Sequence, residues 1–123
     1  MPTPTTMRKR KPVAKEYTFT VFIEKTKGLF VAHALEAGML AVADDQEEAL
    51  FKVGKMLTRH IQFAEENERP EEIYRPSPQD VWERFARCKD QGEAKMLEQR
   101  SRFFAEDDSE SLTLNQNAYA AYC

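Results

Sequence analysis

The spacing of apolar residues changes period near residue 44, and that switch limits the fold more than any other feature of the chain. Between residues 17 and 43 the pattern runs at period two, which suits strands. From residue 45 to residue 64 it runs at about 3.6, which suits a helix. Tyr17-Thr18-Phe19-Thr20-Val21-Phe22-Ile23-Glu24 is rich in β-branched and aromatic residues, the types that pack well on a pleated surface. Tyr17, Phe19, Val21 and Ile23 share one apolar face. Lys25-Thr26-Lys27-Gly28 follows, and Gly28 can take the positive φ that a tight hairpin loop demands. Residues 29–35 read as the returning strand. After the punctuation Glu36-Ala37-Gly38, residues 39–43 read as a short third strand.

The helical pattern opens with a cap. Asp44 can accept from the first free backbone N–H groups, and Glu47 three residues later completes an Asp-x-x-Glu box. Leu50, Val53, Leu57, Ile61 and Ala64 then form one stripe, with Ala49, Met56, His60 and Phe63 beside it. Gly54 also lies beside the stripe. A glycine costs up to about 1 kcal/mol against alanine inside a helix, so its presence points to a close approach between helix and sheet.

Beyond the helix, residues 72–75 read as a short edge strand bounded by Pro70 and Pro76. Ser77-Pro78-Gln79-Asp80 carries the chemistry of a helix start, with Ser77 as the cap, and Val81, Trp82 and Phe85 give that helix an apolar side. Gly92 marks a break before a second helical piece with Met96, Leu97, Phe103 and Phe104. The expected organisation is a disordered basic arm over 1–15, an α+β domain over 16–78, a helical extension over 79–105 and an acidic or polar tail over 106–123. The expected fold class is α+β: a small, mainly antiparallel sheet in the order β-β-β-α-β with one main amphipathic helix.

Length and composition exclude several classes. The 123 residues suffice for one domain. No apolar stretch approaches the roughly 20 residues that span a bilayer, and none follows the basic cluster as a secretory signal requires. Cys88 and Cys123 have neither the number nor the spacing of a disulfide framework or a zinc site, so reduced thiols and a cytoplasmic location are expected, with no membrane contact. The net charge of −3 conceals an asymmetry. Residues 1–15 carry five basic groups and no acid, which leaves 13 basic against 21 acidic side chains in the rest, a net of −8. Such a body repels polyanions, so only Arg8, Lys9, Arg10 and Lys11 stand as candidate phosphate contacts.

The order and spacing of these elements resemble the N-terminal domain of the HicB antitoxin family over residues 16–78. The residues that carry the resemblance are the alternating first strand at 17–24 and the turn glycine with its strand, Gly28-Leu29-Phe30-Val31-Ala32. With them go the helix entry Asp44-Asp45-Gln46-Glu47-Glu48-Ala49-Leu50 and the proline-marked exit at Pro70 and Pro76-Ser77-Pro78. The resemblance implies a reduced ribonuclease H-like sheet. It also implies a binding module that neutralises a HicA-type toxin by covering the active surface of a small basic, RNA-cleaving protein. A solitary HicB-like domain is the other form the resemblance allows.

Catalytic chemistry finds little footing. A metal-dependent nuclease needs several carboxylates converging on a divalent ion; Glu24, Asp44 and Asp45 lie at strand ends, but Asp44 is accounted for as a cap. His33 alternates with Leu29, Val31 and Leu35 and reads as a partly buried structural residue. No Cys, Asp or Glu stands at ligand spacing from His33 or His60, nothing local activates Cys88, and there is no glycine-rich phosphate loop. The expectation is no enzyme, no cofactor and no catalytic or metal-binding residue. The leading function is protein binding; nucleic-acid regulation through the basic arm comes second and a nuclease third.

Assembly is the remaining expectation. Thr18, Thr20 and Phe22 form the second face of the first strand, and one helix covers only one face of a sheet. The C-terminal helix, a second copy or a partner must cover the other. Thr18, Thr20, Phe22, Trp82 and Phe85 are therefore the candidate contact residues, with a homodimer or larger homo-oligomer expected.

Overall fold

The computed structural model describes residues 13–90, 94–104 and 110–121. Three antiparallel strands come first: β1 (Val13–Thr26), β2 (Leu29–Ala34) and β3 (Met39–Ala43). Lys27 and Gly28 connect the first two with φ of 52° and 81°, the paired left-handed geometry whose twist matches the strands. Helix α1 (Gln46–Glu66) follows, then a 3₁₀ turn (Pro70–Ile73) and helix α2 (Gln79–Asp90). Strands β4 (Ala94–Phe104) and β5 (Glu110–Ala121) complete the element order. The sheet order is β3-β2-β1-β5-β4, with β5 parallel to β1 and every other pairing antiparallel. The chain is thus α+β, a five-stranded mixed sheet with a helix on each face.

Parity along the strands decides what each face buries. Phe19, Val21 and Ile23 of β1 lie in register with Gln116, Ala118 and Ala120 of β5 and, across β2, with Ala32 and Ala34. This face packs against Leu50, Val53, Leu57 and Ile61 of α1 to form the main core, as the two periodicities predict. Gly54 faces Gln116: an added Cβ would stand 2.5 Å from its Oε1. Gln116 is fully buried, and its Nε2 donates to the Leu50 carbonyl at 3.2 Å. The opposite face holds a smaller core of Phe22, Leu35, Val81, Phe85 and Cys88, flanked by Trp82 and Tyr119. Phe85 meets Phe22 and Tyr119 edge-on, with centroids 5.5 and 5.2 Å apart, the geometry aromatic quadrupoles prefer.

Several expectations are corrected. The cap of α1 is Asp45, not Asp44; its side chain accepts the Glu48 N–H at 2.7 Å. Ser77 does not cap α2, which begins at Gln79; Ser77 is buried and its N–H donates to the Leu35 carbonyl. Residues 72–75 form no strand. The helical extension ends at Asp90, and residues 94–104, expected as helix, are β4. The expected tail supplies β5, the strand beside β1. The arm yields its last three residues to β1, where Lys15 pairs with Glu65 of α1; Arg8, Lys9, Arg10 and Lys11 lie outside the described residues. Cys88 is disulfide-bonded, so the expectation of reduced thiols does not hold there.

Candidate functional site

Among the described residues, a network of four titratable side chains joins β1, β2 and α2. Glu24 Oε2 accepts from Arg84 Nε at 2.7 Å and Oε1 from Arg84 Nη2 at 3.0 Å, the planar fork that guanidinium and carboxylate make together. His33 Nε2 donates to the same Oε1 at 3.0 Å, and Arg84 Nη1 donates to Asp80 at 2.8 Å. Burial pushes the Glu24 carboxyl up, but the hydrogen bonds and charge of Arg84, with His33 second, hold it below the usual range. Burial dominates at His33 and lowers its pKa, with Glu24 opposing. Every oxygen of Glu24 is committed, and the His33 ring stacks on Phe22 at 6.0 Å. The cluster clamps α2 onto the sheet.

A second constellation faces solvent. The last turn of α1 has no basic residue, although the partial negative charge of a helix C-terminus favours cations there. Instead Glu65, Glu66, Glu68, Glu71 and Glu72 crowd the helix exit and the 3₁₀ turn, with Arg69 as the one cation of residues 65–72. Glu65 is bound by Lys15 and by the Tyr17 hydroxyl, which lowers its pKa; burial, then Glu65 itself, raises that of Tyr17. Arg69 reaches Glu72 at 3.4 Å. His60 Nε2 donates to the Glu72 carbonyl at 3.0 Å and ties the turn to α1. Between them lies a cleft of about 290 Å³ lined by His60, Phe63, Ala64, Asn67, Arg69 and Glu72. Phe63 is 56% exposed and Tyr74 50%. Tyr74 stacks one face on Phe19 at 5.8 Å and leaves the other outward. With the exposed Phe63 ring on an acidic shoulder this makes a surface suited to a cationic partner, since arginine and lysine heads bind both ring faces and carboxylates.

The candidate contact residues of the second sheet face separate into two groups. Phe22 and Phe85 are buried, and with the half-buried Trp82 they belong to the core under α2 of the same chain. The second face that called for a further copy is covered there from within. Thr20 is held by Glu36, which accepts from both its N–H and its hydroxyl at 2.7 Å. Thr18 is exposed and accepts from Asn115 at 3.4 Å. Of the three carboxylates weighed for metal binding, Glu24 is in the clamp and Asp45 caps α1. Among the described residues no group of three or more His, Cys, Asp or Glu could hold a metal ion, and no helix is long and apolar enough to cross a membrane. The acidic shoulder was not singled out from the sequence, though the glutamate run from 65 to 72 and the lack of a basic last turn were both readable there.

No protein-family model, curated protein or solved structure matches the chain.

Proposed function

We propose that this chain is a HicB-like protein-binding module, without chemistry of its own, that neutralises a small basic RNA-cleaving protein by covering it. The observation that carries this reading is the glutamate-rich shoulder at the end of α1, with Phe63 exposed in its cleft and the half-exposed Tyr74 following the 3₁₀ turn. The electrostatics favour it further: beyond residue 15 the chain is net −8, which attracts a basic protein and disfavours RNA itself. Fold order is a second support. A three-strand meander with a helix packed on it matches the first four elements of the β-β-β-α-β plan, while the strand parallel to β1 comes from residues 110–121 and not from 72–75.

The test uses a small basic protein encoded beside this chain. Mixed at micromolar concentration, the two should form a stoichiometric complex by light scattering, and RNA cleavage by the basic protein should stop. Glu66→Lys with Glu71→Lys should weaken the complex by at least about tenfold, because like charges then face each other. Unimpaired RNA cleavage in the presence of excess chain defeats the proposal, and so does a complex indifferent to charge reversal at the shoulder.

A further inference from the structure

The two edges of the sheet are built differently. β4 carries Lys95, Glu98, Arg100 and Arg102, the charged decoration by which natural edges discourage pairing. β3, Met39-Leu40-Ala41-Val42-Ala43, has no charged residue. Its outward groups follow from the ladder. The Leu35 N–H donates to the Thr20 carbonyl, so even-numbered residues of β1 bond toward β2, with Phe22 opposite His33 and Glu24 opposite Val31. Hydrogen-bonded pairs alternate, which turns Ala32 and Ala34 toward Ala41 and Met39. The backbone groups of Leu40 and Val42 are left facing outward. Lys52 Nζ meets the Val42 carbonyl there, at 3.2 Å.

Beside this edge runs a groove of about 440 Å³ lined by Ala41, Val42, Lys52, Lys55, Met56 and Arg59. Its floor is apolar and its rim cationic. Lys52 reaches Glu48 at 3.3 Å, whereas Lys55 and Arg59 have no carboxylate within 4 Å among the described residues; the Lys55 ammonium lies 5.4 Å over the Phe51 ring instead. On the other side of the sheet, Leu40 is 50% exposed and Val42 41%.

We infer that β3 is a docking edge for an extended acidic segment of a partner protein, which adds to the sheet as a sixth strand. Side chains of a strand alternate between faces. A segment laid along Leu40 and Val42 therefore directs every second residue over the groove, toward Lys52, Lys55 and Arg59, and the others against the Leu40 and Val42 side chains. Acidic residues alternating with β-branched ones satisfy both sides, in the mode of strand addition where backbone bonds supply affinity and alternate pockets supply selectivity. Charge argues against a second copy of this chain as the occupant: two-fold pairing of β3 with itself would line one groove with both sets of the same three cations. The site is separate from the acidic shoulder and selects the opposite charge.

The experiment titrates the full ¹⁵N-labelled chain with a blocked peptide of about eight residues alternating glutamate and valine, a length typical of a strand. Amide shifts should change at Leu40 and Val42 and along the Lys52–Arg59 side of α1, and exchange of the Leu40 and Val42 amides should slow. A lysine–valine peptide should bind at least about tenfold more weakly. Lys55→Glu with Arg59→Glu, two exposed changes, should reduce affinity by a similar factor. Val42→Pro removes an outward N–H without breaking the ladder and should also abolish binding. Several results overturn the inference: shifts confined to other surfaces, no binding at millimolar peptide, or equal binding of the two peptides. Self-association abolished by Val42→Pro would mean a second copy occupies the edge. Selective shifts at Lys55 and Arg59 with a single-stranded RNA oligonucleotide, but none with the peptide, would mean a nucleic-acid contact.

Discussion

Replacing Gly54 by alanine should destabilise the protein although it improves the helix. In an exposed helix the change gains up to about 1 kcal/mol. Here the new Cβ would stand 2.5 Å from Gln116 Oε1 and 3.1 Å from its Cδ, closer than side-chain carbons approach. Relief requires Gln116 to move. That side chain is 1% exposed and donates to the Leu50 carbonyl. Breaking the bond leaves a buried amide unsatisfied, at about 1–3 kcal/mol, and the overpacking that remains adds about 1–3 kcal/mol. Against the propensity gain, the net loss is about 1–5 kcal/mol. The Gln116→Ala background removes the obstructing atoms, and there Gly54→Ala should stabilise by up to about 1 kcal/mol. Urea unfolding of the two single variants and the double variant closes the cycle, and the sign of the Gly54 effect should reverse between backgrounds. If Gly54→Ala stabilises the unmodified chain, α1 does not approach β5 at Gln116.

Leu57 is fully buried, so Leu57→Ala should cost about 2–5 kcal/mol in urea unfolding, whereas Lys55→Ala should stay within about 0.5 kcal/mol; equal small losses would refute the assignment of the α1 stripe. Phe85→Ala removes the ring that joins Phe22 to Tyr119 and should cost about 3–5 kcal/mol, with a rise in Trp82 solvent exposure readable by fluorescence quenching. Both members of the Glu24–His33 pair make folding weaker in acid. His33 is held below its ordinary value of 6.5, so the unfolded chain takes up its proton first, and stability should fall as pH drops below about 6.5. Glu24 is held below its ordinary 4.5, so its contribution, complete above 4.5, should be lost as pH falls further through its folded value. Denaturant titrations from pH 7 to pH 3 should show both phases, and His33→Gln should remove the upper one.

The stretch from residue 17 to residue 66 was legible because its local signals agree with its tertiary role. Period two brings Phe19, Val21 and Ile23 to one face, period 3.6 brings Val53, Leu57 and Ile61 to another, and each needs the other to leave water. Even the glycine in α1 announced a close approach, though not the glutamine it approaches. Helix α2 was legible from Pro78 and its Val81, Trp82 and Phe85 side; residues 94–104 and 110–121 were not, for physical reasons. β4 is written in Lys, Glu, Gln and Arg, residues at home in helices, and it becomes a strand because β5 offers it eleven paired positions. β5 does alternate, Leu112, Leu114, Gln116, Ala118 and Ala120 pointing inward, but three of those five are small or polar and raise no hydropathy signal. Whether the second sheet face would find its cover in the same chain was likewise beyond local patterning. It depends on Arg84 reaching Glu24 across 60 positions of sequence and on Phe85 entering between Phe22 and Tyr119. Periodicity is a property of neighbours along the chain and so determined the elements that bury their own faces. The parallel pairing of β5 with β1, the clamp at Glu24, the acidic shoulder and the open β3 edge are relations between distant segments, and only the folded structure decided them.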